Sequence, residues 1–116
     1  MKMTATTAER MASAIKKELV LINTIIQDEQ IGYINLTDVQ VTKDLSFANV
    51  YYTILSDSPD ILKLASNAIE ENKVVIRMEL AKKIKNFRKI PDLVFKYDKS
   101  LSYGRHIENI LKDIKK

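Results

Sequence analysis

The sequence predicts an α+β domain of two layers, three strands with helices covering one face, and three observations predict it. Apolar residues recur at helical spacing along residues 6–28. Two runs, 33–42 and 48–54, alternate as strands do and are joined by a few polar residues. A basic helical stretch then passes through Pro91 into a third apolar run, 93–97.

Thr6 opens the first helix with the pattern Thr6-x-x-Glu9, in which hydroxyl and carboxylate each satisfy a backbone N–H at the helix start. Met11, Ile15, Leu19, Ile22 and Ile26 follow at spacings of four, four, three and four, which sets one side of a long amphipathic helix ending near Asp28. Arg10, Lys16 and Lys17 lie off that stripe. Residues 33–42 alternate, but the phase slips between Leu36 and Val39. Either a bulge sits near Asp38 or the two faces exchange roles there. After a tight connection through Lys43 and Asp44, Ala48, Val50, Tyr52 and Ile54 alternate again, and the pair reads as an antiparallel hairpin.

Ser58-Pro59-Asp60 marks the start of the next helix: Ser as cap, Pro in the first turn, Asp at the positive dipole end. Leu62, Ala65 and Ile69 supply its apolar side. Asn72 tolerates the left-handed conformation of a helix end, and the charge changes sign from Glu70 and Glu71 to Lys73. A bend is therefore expected at Asn72–Val74. A further helix would carry Ile76, Leu80, Ile84 and Phe87 on its buried stripe, with Lys82, Lys85 and Lys89 on the opposite side. Pro91 pushes Ile90 toward extended backbone, and residues 93–97 form the third strand. Asp98 or Ser102 would cap a last helix bearing Ile107, Ile110, Leu111 and Ile114. The predicted order is helix, strand, strand, helix, helix, strand, helix.

The chain has 116 residues, 46% of them apolar, which is enough for one domain with a sizeable core. It has no cysteine, so disulfides and thiolate zinc sites are ruled out. No apolar run approaches the roughly 18 residues of a membrane span, and the first residues lack a signal-peptide core. The expectation is a soluble cytoplasmic protein without a membrane partner.

Charge is unevenly placed. Residues 77–89 hold six bases against the single acid Glu79, while the whole chain has a net charge of only +4. That run suits an anionic partner, although a solvated helix face would give the same pattern. Arg77, at the edge of the buried stripe, either reaches a phosphate of such a partner or pairs with Asp98 or another carboxylate inside the fold, the structural role being slightly favoured. Phe47, Tyr51, Phe87 and Tyr103 are assigned to packing. His106, the only histidine, lacks partners that would orient it for metal binding or catalysis. Asp38 and Asp44 belong to a bulge and a turn, not to a carboxylate pair. No phosphate-loop, serine-hydrolase or zinc-protease motif occurs, so no catalytic residue, metal or cofactor is assigned.

The order of elements, taken with particular residues, resembles the ribosome-binding factor A family. The carriers are Arg10 with the first helix, LTDVQVTKDL (36–45), FANVYYTIL (47–55), VIRMELAKKI (75–84), RKIPDLVFKYDKS (88–100), and Gly104 followed by Arg105 and Ile107. The resemblance implies a type II KH-like RNA-binding domain spanning residues 1–116, in the order α-β-β-α-α-β plus a C-terminal helix. It implies a monomer that binds the free small (30S) ribosomal subunit and its ribosomal RNA. The role implied is late maturation and rRNA processing, without catalysis. With the resemblance added, Lys82, Lys83, Lys85, Arg88 and Lys89, together with Lys73 and Arg77, become the expected RNA-binding residues. The alternative is a protein-interaction module that docks an acidic partner through the basic helix. The family's Ala-x-Gly bend is replaced here by Asn72, Lys73 and Val74, and valine does not take positive φ cheaply.

Overall fold

The capping box at Thr6 forms as its sequence predicts. The Thr6 hydroxyl accepts the Glu9 N–H at 3.1 Å and the Glu9 carboxylate accepts the Thr6 N–H at 2.9 Å. It starts helix α1, Thr7–Glu18, in a computed structural model that describes residues 6–99. A 3₁₀ turn, Leu19–Leu21, leads into a short helix α2, Ile22–Ile25. The tightening falls where the apolar spacing drops to three. Residues three apart eclipse in a 3₁₀ turn, so Leu19 and Ile22 stay on one side. All five stripe residues, Met11 to Ile26, are buried.

Asn23 ties this helical segment to the sheet. Its amide donates to the Ile34 carbonyl at 3.0 Å and its side-chain oxygen accepts the Ile34 N–H at 2.7 Å. Strand β1, Asn35–Val41, then pairs antiparallel with β2, Phe47–Thr53. The phase slip is a bulge: Leu36 faces Tyr52 and Asp38 faces Tyr51, which leaves Thr37 as the extra residue. The Thr37 hydroxyl donates to the Asp98 carboxylate. In the hairpin turn Asp44 accepts the Thr42 hydroxyl at 2.8 Å and the Ser46 N–H at 3.1 Å, and Leu45 adopts φ 64°.

The third helix corrects two expectations. Helix α3 runs unbroken from Pro59 to Lys83 over 25 residues, so the bend at Asn72–Val74 is absent and the two predicted helices are one. Ala65, Ile69, Ile76 and Leu80 are its buried residues. Ile69 and Leu80 are 11 apart, almost three turns, so a straight helix keeps both in the core. Asn72 does not stop it, because its side chain donates to the Ala68 carbonyl at 2.8 Å within the helix. The sign change is bridged by a Lys73–Glu70 pair at 3.5 Å. Ser58 takes the extended cap backbone but makes no side-chain cap bond, and its own N–H donates to Ser56 at 3.1 Å.

The helix also stops before Phe87. Ile84 leaves helical geometry at φ −118° and ψ 47°, so Lys85, Arg88 and Lys89 lie on the loop that follows and not on a helix face. A helix of this length spans roughly 37 Å, against about 24 Å for a seven-residue strand. The chain must turn back to bring its next strand beside the start of β2.

Strand β3, Asp92–Tyr97, does so, pairing parallel with β2 from Phe47↔Asp92 to Tyr52↔Tyr97. The sheet order is β1-β2-β3, leaving β3 at an edge. Alternate residues Ala48, Val50, Tyr52 and Leu93 pack with the α1 and α3 stripes in one core. Tyr52 and Tyr97 meet edge-to-face with ring centres 6.0 Å apart. Burial pushes the Tyr52 phenol above its ordinary pKa, against a countering hydrogen bond from Ser66. On the other sheet face Lys96 lies 6.0 Å over the Tyr51 ring. The expected C-terminal helix, and with it His106 and Tyr103, falls outside the described residues.

Candidate nucleic-acid interface

The seven expected RNA-binding residues occupy the C-terminal half of α3 and the loop leading to β3, and the structure sorts them into two groups. Three are already engaged. Lys73 pairs with Glu70, and Lys82 lies 3.1 Å from Glu79. Arg77 donates from Nε to the Pro91 carbonyl at 3.1 Å and from Nη2 to the Ile90 carbonyl at 2.7 Å, with Asp92 at 3.6 Å. Arg77 is thus tied into the fold through two backbone carbonyls, with Asp92 as a carboxylate partner. Its planar fork clasps the end of the loop onto α3, which fixes where Arg88 and Lys89 are presented.

The remaining four, Lys83, Lys85, Arg88 and Lys89, are exposed, and among the described residues none has a carboxylate within ion-pair distance. Lys83 closes the last turn of α3, where a cation also suits the negative helix end. The others follow on a loop whose apolar residues Ile84, Phe87 and Ile90 pack toward the core. Apolar residues inward and bases outward make that loop a raised basic strip.

A groove of about 420 Å³ lies between α3 and β3, lined by Phe47, Lys73, Val74, Arg77, Met78 and Val94 among others. Strand spacing assigns Phe47 to packing, but its residue surface is 48% exposed, as are 71% of Val74 and 57% of Met78. Sequence periodicity missed this surface. On α3 these apolar residues fall off the buried stripe, and that departure was its only available signal. Tyr51 is half-buried on the other sheet face.

Asp38 and Asp44 sit in the bulge and the turn as expected. The carboxyl of Asp44 is held below its usual range, chiefly by the Thr42 hydroxyl, then by Ser46, with Lys89 adding to the effect. Among the described residues no group of three His, Cys, Asp or Glu side chains could hold a metal ion, and no helix is long and apolar enough to cross a membrane.

A three-stranded mixed sheet backed by helices, with a basic strip at the α3–β3 junction, defines an α+β KH-like domain. The family model for ribosome-binding factor A matches residues 7–111. A ribosome-binding factor A from Phytoplasma mali (strain AT) is 62% identical over 111 residues, covering 95% of this chain and 97% of that protein. One from Staphylococcus carnosus (strain TM300) is 42% identical over 110 residues, covering 94% of each. This chain belongs to the ribosome-binding factor A family. The crystal structure of ribosome-binding factor A from Thermus thermophilus shares the fold at a TM-score of 0.65 and 19% identity, over 78% of this chain and 93% of that one. A Thermus thermophilus homology model fitted into a cryo-EM map of a 30S–RbfA complex matches with the same TM-score and identity, over 76% of this chain and 91% of that one.

Proposed function

We propose that this protein is a single KH-like RNA-binding domain that docks, as a cytoplasmic monomer, on the free small (30S) ribosomal subunit. On this reading it contacts small-subunit ribosomal RNA and assists late maturation and rRNA processing, without catalysis of its own. The observation that carries the proposal is the strip Lys83, Lys85, Arg88 and Lys89, four cations with no carboxylate partner among the described residues, running from the last turn of α3 onto the loop clasped by Arg77. Membership of the family supports it, as does the 30S complex into which the Thermus relative was fitted. Phosphates are the partner such a strip suits, since each neutralised phosphate releases counterions.

Lys82 must give up Glu79 before it can serve, so four contacts are expected, not five. Co-sedimentation with purified subunits tests this. Binding should fall with a log–log salt slope of about −2.8, or roughly fiftyfold between 50 and 200 mM salt, at 0.7 per contact to unpaired RNA. Lys83→Glu, Lys85→Glu and Arg88→Glu combined should abolish it and leave the fold intact. A folded triple variant that still co-sediments would defeat the proposal. Salt-dependent binding to an acidic protein, but not to ribosomal RNA, would favour a protein-docking module instead.

A further inference from the structure

A second cleft lies between the basic loop and the start of α1. It has a volume of about 270 Å³. Its floor is apolar, made of Met11, Leu45 and Phe87 from three separate parts of the chain, all packed into or against the core. Its rim is cationic: Arg10 comes from α1, and Arg88 and Lys89 from the loop. None of the three pairs with a carboxylate among the described residues.

The acids next in the chain to the lining are committed elsewhere. Glu9 accepts the Thr6 N–H in the helix cap, and Asp44 is held by Thr42 and Ser46 in the hairpin turn. Lys89 acts on Asp44 only as the last contributor to its lowered pKa. The fold has therefore drawn three cations from two distant parts of the chain to one concavity whose lining carries no acid. Two of the three are guanidinium groups, whose paired N–H donors match the oxygens of a phosphodiester.

We propose that this cleft is a phosphate-binding site in which Arg10, Arg88 and Lys89 hold backbone phosphates of the bound RNA. It rests on the RNA-binding reading above and extends that contact from the loop onto the first helix. Arg10 is the residue it adds. The two basic loop residues then serve RNA that passes over the loop toward α1.

The full-length chain is titrated with small-subunit ribosomal RNA across a range of salt, as wild type, Arg10→Gln, Arg10→Lys and Lys85→Gln. Arg10→Gln should bind about fivefold more weakly at 0.1 M salt, and its log–log slope should be shallower by about 0.7, the share of one phosphate contact. Arg10→Lys should keep the wild-type slope. Arg10 is exposed, so thermal unfolding should be unchanged by either substitution, which separates contact from folding. Wild-type affinity and slope for Arg10→Gln, alongside weakened Lys85→Gln, would overturn the cleft and leave the RNA reading standing. Weaker binding of Arg10→Gln at an unchanged slope would overturn it too, because no phosphate contact would have been lost. No RNA binding by the wild type would remove both.

Discussion

Asn23 holds the start of the sheet to the helices by giving Ile34 both a donor and an acceptor, as a neighbouring strand would. Both bonds are part-buried, so removing the amide leaves a backbone N–H and C=O without partners where water reaches them poorly. Asn23→Ala should therefore destabilise by about 1–3 kcal/mol, measured by urea unfolding. Tyr52 carries a pH prediction. Burial raises its pKa in the folded state. A raised folded pKa on a group that ionises to an anion means the folded state favours the neutral phenol. That stability is complete below the unfolded phenol value, about 10, and is lost as pH rises beyond it. The urea midpoint of the wild type should fall between pH 9 and 11 by more than that of Tyr52→Phe. Parallel curves would show that the phenol is not the titrating group.

Helix α3 is the element on which the functional reading turns. A bent and a straight helix respond oppositely to glycine at residue 74. Val74 is well exposed, so substitution there loses little packing and reports backbone preference. In the straight helix Val74→Gly should be about 1 kcal/mol less stable than Val74→Ala, the ordinary cost of glycine against alanine in a helix interior. Greater stability of the glycine variant would reveal a bend with positive φ, which glycine takes freely. Arg77 governs the next element, the loop after α3. Arg77→Lys keeps the charge but cannot reach two carbonyls as a rigid fork does. Amide exchange along residues 84–90 should accelerate in that variant while the α3 core amides stay protected.

Across the whole molecule, one core joins α1, α2, α3 and the covered face of the sheet. Leu80 lies fully inside it and Lys85 lies outside. Leu80→Ala should destabilise by about 2–5 kcal/mol through lost burial and the cavity left behind. Lys85→Ala should stay within about 0.5 kcal/mol. Similar denaturation midpoints for the two would show that Leu80 does not lie in the core.

The sequence by itself determined the parts of this protein that depend on near neighbours. Thr6 and Glu9 form their cap because the partners are three residues apart. Leu36 and Val39 announce a slip of phase near Asp38, and with one face of the strand covered the structure resolves it as a bulge instead of an exchange of faces. The clustering of bases at 77–89 was legible for the same reason. Only the tertiary structure decided the rest. Asn72 is a stop signal locally, but burying Ile69 and Leu80 in one core outweighs a propensity of a fraction of a kcal/mol. Ile84 and Phe87 keep helical spacing, yet the chain leaves the helix there because β3 has to begin beside Phe47. That departure carries Lys85, Arg88 and Lys89 off the helix, gives the Ile90 and Pro91 carbonyls to Arg77, and brings the loop to Arg10. Contacts of this kind join residues distant in the chain, and no local period encodes which of them will meet.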